Sequence, residues 1–167
     1  EVSNGRPIDR EAAAAIIQAM KAYPDNQIQE WLESTQTDQT APSTLMSWEQ
    51  LKEMSASGLV EVGSHTCHHF RLTQDLPAAV IQRELEESKS RLEAGLGKSI
   101  SLFCYPNGDL CDLALQTIPL HYDAAVTTQR GINREPSINP YKLLRIGVHQ
   151  DRCNTAVKFC SRLADWY

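Results

Sequence analysis

The sequence has 167 residues, of which 41% are hydrophobic and 22% charged, and its formal net charge is −5 at pH 7. This length suits one domain with a hydrophobic core but falls short of a full α/β barrel, which takes roughly 200 residues or more. The acidic balance and the lack of a Lys/Arg-rich run argue against nucleic acid or an anionic membrane surface as a partner. No apolar stretch approaches the roughly 20 residues of a membrane-spanning helix, so no membrane span is predicted.

Two helices are predicted near the N-terminus. The first runs from Arg10 to Ala22 behind Asp9 as N-cap, and the second covers about Gln27 to Glu33. Because no strand accompanies them, residues 1–44 are predicted to be a helical insertion or connector, and residues 45–167 a separate β/α domain.

From residue 45 onward, predicted helices and strands alternate. Ser47 and Gln50 match a capping box, and a long helix is predicted from about Ala78 to Ala94. Two further helices are expected behind Asp109 and Asn154 as caps. The four predicted strands are Leu59–Val62, Ser99–Cys104, Tyr122–Thr128 and Lys142–Val148. This alternation predicts an α/β fold with a mostly parallel sheet or an incomplete barrel, whose function lies at the C-terminal ends of the strands.

Three histidines follow the first predicted strand. His65 and His69 are four residues apart, so both rings can face one ion if the backbone turns helically there. Neutral imidazole is a common ligand of zinc and related divalent metals, and the spacing therefore predicts a metal site. His68 is expected to point elsewhere, Thr66 to bond the local backbone and Cys67 to be packed. The alternatives are polar loop histidines and a structural zinc site that uses Cys67.

The five cysteines are odd in number and show no Cys-x-x-Cys spacing. This pattern favours reduced thiols over a disulfide framework and therefore a cytoplasmic location. The sequence begins with Glu1 rather than Met, so we expect a missing upstream segment, and a periplasmic or secreted location stays the alternative.

Three segments occur in a characteristic order, and a fourth phrase follows them. They are Gly63–His69, Phe103–Gly108, Ala124–Thr128 and Leu144–Val148. Together they resemble the polysaccharide deacetylases of carbohydrate esterase family 4, the NodB homology domain, over about residues 45–148. The resemblance is strongest to the bacterial branch of capsule and exopolysaccharide enzymes. It implies a distorted (β/α) barrel and a divalent metal, usually zinc, that removes acetyl groups from polysaccharides or oligosaccharides.

The resemblance also implies roles for individual residues. The metal-binding His-Ser/Thr-x-x-His motif falls on His65 and His69. Asn107 takes the position whose backbone N–H stabilises the oxyanion. His149 is the general-acid candidate, although its spacing differs from the family's and a surface histidine is the alternative. Substrate contacts are expected from Tyr105, Pro106 and Arg145.

One motif of the family has no counterpart. The family's Thr-Phe-Asp-Asp segment supplies a general base and a third metal ligand, and this sequence contains no Asp-Asp pair. We therefore expect a truncated deacetylase without its first β/α unit, inactive by itself. A non-catalytic carbohydrate-binding or scaffold protein is the alternative. The sheet edge that the first strand would fill is expected to stay open, to pair with a second copy in a homodimer, or to be covered by the helices between Arg10 and Glu33.

Overall fold

The computed structural model describes residues 9–20, 22–34, 45–134, 136, 138–149 and 153–164. The chain divides into two compact units, Glu1–Leu51 and Lys52–Tyr167. Within the described residues, no helix combines the length and the apolar character needed to cross a membrane.

The N-terminal unit contains helices α1 (Arg10–Met20) and α2 (Asp25–Ser34). Asp9 Oδ1 accepts hydrogen bonds from the N–H groups of Glu11 and Ala12 at 3.0 and 3.1 Å, which confirms the predicted N-cap. Helix α1 ends two residues before the predicted end, whereas α2 begins two residues before its predicted start.

Helix α3 (Trp48–Ala56) begins with the capping box that the sequence predicts. The Ser47 N–H donates to Gln50 Oε1 at 2.8 Å, and the Gln50 N–H donates to Ser47 Oγ at 3.3 Å. Each residue therefore satisfies one N–H that the first turn leaves without a helical partner.

The second unit contains a parallel sheet of three strands in the order β1 (Leu102–Cys104), β2 (Ala124–Arg130) and β3 (Leu143–Arg145). Phe103 pairs with Ala125, and Val126 pairs with Leu143. Within the described ranges this sheet does not close on itself, so the architecture is an incomplete (β/α) barrel, as predicted.

The first of the four predicted strands, Leu59–Val62, is not formed. Just after this segment, Ser64 forms a single bridge to β1. The Ser64 N–H donates to Leu102 O at 2.8 Å, and the Cys104 N–H donates to Ser64 O at 2.9 Å. The side chains nevertheless alternate as they do in a strand, since Val62 and Ser64 are buried and Glu61 is exposed. Because β1 is only three residues long, it offers too few partners for a longer ladder.

Helix α4 (Ala78–Leu96) packs beside the sheet and ends at Gly97, whose φ of 69° gives the left-handed cap. The Tyr122 hydroxyl donates to Leu85 O at 2.8 Å and so ties α4 to the chain just before β2. Ser88 on the same helix lies 2.7 Å from Ser64, oxygen to oxygen, in the core.

The two remaining helices, α5 (Asp112–Thr117) and α6 (Ala156–Leu163), correct two predicted caps. Asp109 does not cap α5, because the helix begins only at Asp112 and Cys111 takes the N-cap position. Helix α6 is capped by Thr155, which accepts from the Lys158 N–H at 3.2 Å, and not by Asn154. Asn154 instead accepts from Lys158 Nζ at 3.1 Å.

Candidate metal and oxyanion site

The rings of His65 and His69 lie together beyond the bridge to β1. Their centroids are 4.8 Å apart and their planes are 75° to one another. The loop reaches this arrangement through left-handed backbone at Thr66 (φ 64°) and His69 (φ 60°), not through the helical turn that the spacing suggested. Left-handed backbone costs on the order of 1 kcal/mol per non-glycine residue, and such strain concentrates at functional sites.

The hydrogen bond of His65 decides which ring nitrogen is free. Its Nδ1 lies 2.7 Å from the carbonyl oxygen of Cys104, which can only accept, so the proton sits on Nδ1. The lone pair of Nε2 is then left for a ligand. This is the tautomer that a metal-binding histidine needs, with the second nitrogen held by a carbonyl group.

His68 points away from this pair, as expected. Its Nδ1 donates to Glu84 Oε1 at 2.6 Å, and Glu84 Oε2 accepts from the N–H groups of Cys67 and His68 at 2.9 Å each. The sequence patterns did not predict a role for Glu84. The available signal was its position, since Glu84 falls with Ile81, Leu85 and Ser88 on the buried face of α4.

The two residues between His65 and His68 differ in how their polar groups are satisfied. Thr66 Oγ1 is buried and has no hydrogen-bond partner among the described residues, so the expected bond to the local backbone is wrong. Burial, and secondly the charge of Glu84, raise the pKa of the Cys67 thiol. Among the residues that the structure describes, Cys67 does not belong to any group of three His, Cys, Asp or Glu side chains placed to hold a metal, which argues against a structural zinc site built on it. All five cysteines are free.

The loop after β1 begins with two residues that lie in the core. Tyr105 and Pro106 are buried, and the Tyr105 hydroxyl donates to Tyr141 O at 2.9 Å. Burial raises the pKa of Tyr105 to about 12. The resemblance implies substrate contacts for Tyr105 and Pro106, but the structure places both where they support the loop from beneath.

Asn107 is the exposed tip of this loop and has a φ of 55°. The turn bonds use the N–H groups of Gly108 and Asp109, while Thr128 Oγ1 donates to Asn107 O at 3.0 Å. The N–H of Asn107 takes part in none of these bonds. The loop is therefore fixed by its neighbours and keeps one backbone donor for an incoming group.

Arg145 and His149 are the remaining residues predicted for the site. Arg145 on β3 brings Nη1 to 3.8 Å from Cys104 Sγ, next to the residue whose carbonyl holds His65. His149 is exposed, and within the described part of the chain it makes no hydrogen bond or ring contact with His65 or His69. The structure thus groups Arg145 with the end of β1, while the general-acid role of His149 stays a prediction.

The donor set fits part of a zinc site. His65 and His69 offer two imidazoles, one of them in the tautomer required for binding, whereas catalytic zinc sites take three protein ligands. Over the ranges that the structure describes, no group of three or more His, Cys, Asp or Glu side chains is placed to hold a metal. The described residues therefore offer two candidate ligands and no third one.

Comparison with known proteins gives a consistent result. The sequence profile described as "Polysaccharide deacetylase" matches residues 11–121, more than half of the chain. This match begins inside the segment predicted to be an insertion or connector. No curated protein matched significantly.

Several solved structures are similar to this chain. The Streptococcus pyogenes deacetylase PplD in complex with acetate is 29% identical, with a TM-score of 0.60 over 68% of this chain and 49% of that protein. BC0361, a polysaccharide deacetylase from Bacillus cereus, is 27% identical, with a TM-score of 0.60 over 75% and 38%. IcaB from Ammonifex degensii is 27% identical, with a TM-score of 0.58 over 73% and 53%. The chain therefore spans about half or less of the length of these proteins.

Proposed function

Because the chain belongs to the polysaccharide deacetylase family, we propose that the protein is a metal-dependent hydrolase that removes acetyl groups from the amino sugars of a polysaccharide or oligosaccharide. One observation carries the metal dependence. His65 and His69 lie ring against ring, and the Nδ1 proton of His65 is held by Cys104 O, which leaves Nε2 for an ion. Zinc is the proposed metal, since it takes imidazole ligands readily.

His65 and His69 would hold the ion, which when bound supplies Lewis-acid chemistry toward the acetyl carbonyl. The N–H of Asn107 donates to the oxygen that becomes negative as the carbonyl carbon turns tetrahedral. Thr128 keeps this donor in place through its bond to Asn107 O. Arg145, exposed at the end of β3, is proposed to orient the sugar by hydrogen bonds to its oxygens.

A general base and a third ligand are not among these 167 residues in the form that the family uses, since the sequence contains no Asp-Asp pair. We propose that carboxylates from outside them complete the site in the whole protein. The incomplete ligand set also favours a second candidate, a carbohydrate-binding or scaffold protein that keeps the fold without catalysis. The homodimer through the open sheet edge stays a prediction.

The test is an acetate-release assay on N-acetylated glucosamine oligosaccharides with the product of the whole natural reading frame. We expect release to stop after chelation, to return with added zinc and to be lost in His65→Ala. His121→Gln is the matched control, because His121 is half-buried beside Glu86, 3.9 Å from nitrogen to oxygen, and has no role in the site. A full-length protein that binds the oligosaccharide and releases no acetate would establish the scaffold alternative.

A further inference from the structure

We propose that Glu84 is a positioning residue for the two histidines: its buried carboxylate holds the loop that brings the His69 ring against His65. This inference rests on the proposed function for its use in metal binding, whereas the positioning itself rests on the contacts of Glu84. Glu84 touches neither substrate nor metal ligand directly, so it acts through the backbone.

Glu84 engages the two residues in the middle of the loop. Oε2 accepts from the N–H groups of Cys67 and His68 at 2.9 Å each, and Oε1 accepts from His68 Nδ1 at 2.6 Å. The side chain of Glu84 is 1% exposed. A carboxylate so far from water is costly unless donors satisfy it, and three donors from one loop do so here.

The two residues that Glu84 binds lie directly between the two strained positions of the loop. Thr66 and His69, on either side of Cys67 and His68, have φ values of 64° and 60°. A non-glycine residue keeps a left-handed backbone only where contacts with the surrounding structure outweigh its own preference for another conformation. The three hydrogen bonds to Glu84 are the contacts that hold the loop in this conformation.

The two histidines are anchored differently. His65 is bonded directly to Cys104 O and follows Ser64, which is bridged to β1. His69 follows the residue that Glu84 holds, and it has no hydrogen bond of its own in the described part of the chain. Loss of Glu84 should therefore release His69 while His65 keeps its place.

The experiment follows the ring signals of both histidines by NMR in the 167-residue protein and its variants. A ring 4.8 Å from another, edge to face, shifts the signals of its neighbour, so the shifts report the contact directly. In Glu84→Ala we expect the His69 signals to move to those of an isolated histidine. The His65 signals should lose only the part of their shift that the His69 ring causes. Zinc affinity, measured by calorimetry, should fall about tenfold.

Two variants serve as controls. Ser88→Ala removes a buried polar group one turn along α4. Ser88 contacts Ser64, which precedes His65, and not the loop residues that Glu84 binds, so the variant should leave the His69 signals in place and the zinc affinity within about twofold. Glu84→Gln should also keep the ring contact, since its amide oxygen can accept from both N–H groups and its amide nitrogen can donate to His68 Nδ1.

Unchanged His69 signals in a folded Glu84→Ala protein would overturn the proposal, as would an equal change in Ser88→Ala. Should Glu84→Ala fail to fold, His68→Ala removes the shortest of the three bonds, and the His69 signals must then move in the same direction by a smaller amount. If the His69 signals also stay in place in His68→Ala, that result would contradict the positioning role of Glu84. Failure of the unaltered chain to bind zinc would refute the proposed metal site and leave the ring test valid.

Discussion

The ring of His65 and the carbonyl group of Cys104, 39 residues apart in sequence, are joined by a bond of 2.7 Å. It connects the histidine loop to the end of β1 and sets the ring's tautomer at the same time. Since the acceptor belongs to the backbone, the bond depends on the strand being in place and not on the type of residue at position 104.

Zinc binding by the chain should depend on both histidines. We expect His65→Ala and His69→Ala to weaken zinc affinity about tenfold or more, because each removes one of two imidazole ligands. Calorimetric titration measures the change. His121→Ala removes a histidine whose ring lies beside Glu86 and Tyr122, away from His65 and His69, and the variant should bind zinc as the unaltered chain does. Equal affinity in all three variants would mean that zinc binds elsewhere.

The 167-residue chain should release little or no acetate from acetylated chito-oligosaccharides, even with added zinc. It lacks the Asp-Asp pair that supplies the base and the third ligand in the family it belongs to. The measurement is an enzymatic acetate assay over a long incubation. Turnover by this chain that His65→Ala abolishes would contradict the expectation and would require a base among its own residues.

Stability should fall at high pH because of Tyr105. Burial raises its pKa from 10.0 to about 12, so between these values the unfolded chain releases the proton and the folded chain keeps it. The free energy of unfolding should therefore decrease as pH rises through this range, by at most about 1.4 kcal/mol per pH unit for one group. Urea unfolding at several alkaline pH values gives the slope.

Tyr105→Phe separates this contribution from others. At neutral pH the variant should lose about 1 kcal/mol, because the hydrogen bond to Tyr141 O is gone. Above pH 10 its curve should be flatter than that of the unaltered chain. Part of the decrease in the free energy of unfolding at alkaline pH should remain in this variant, because burial also raises the pKa of Tyr122. Parallel curves over the whole alkaline range would show that Tyr105 does not contribute.

Gly108→Ala should destabilise the loop that carries Asn107. Gly108 has a φ of 82°, and an added Cβ would overlap Thr128 Oγ1 and lie 2.8 Å from Thr128 Cβ. Strain and overlap together should cost about 3 kcal/mol in the free energy of unfolding. Gly97→Ala is the matched control, since Gly97 has a φ of 69° and open space around it, and should cost only about 1 kcal/mol. Equal losses in chemical denaturation would exclude the close approach to Thr128.

The features that the sequence predicted well are local ones. The Asp9 cap and the Ser47–Gln50 capping box depend on residues two or three positions apart, and both are formed. The proximity of His65 and His69 also followed from spacing, although the backbone between them is not helical.

The features that the sequence did not predict depend on distant parts of the chain. The strand expected at Leu59–Val62 is not formed, and the chain pairs with β1 only through the bridge at Ser64, because pairing is limited by β1, which lies some forty residues later. The sequence pattern indicates only that Glu84 is a polar residue of a predicted helix. Its role appears only when α4 lies beneath the loop that carries His68.

The main-chain hydrogen bonds of Cys104 affect how this position can change in evolution. The N–H of Cys104 bonds to Ser64 O, and its carbonyl oxygen bonds to His65, so both attachments of the histidine loop to this residue are made by main-chain atoms. A mutation that alters the side chain leaves both atoms where they are. Position 104 can therefore change its residue type while the loop stays attached. Its sulfur is approached by the guanidinium of Arg145 from β3, on the far side of β2.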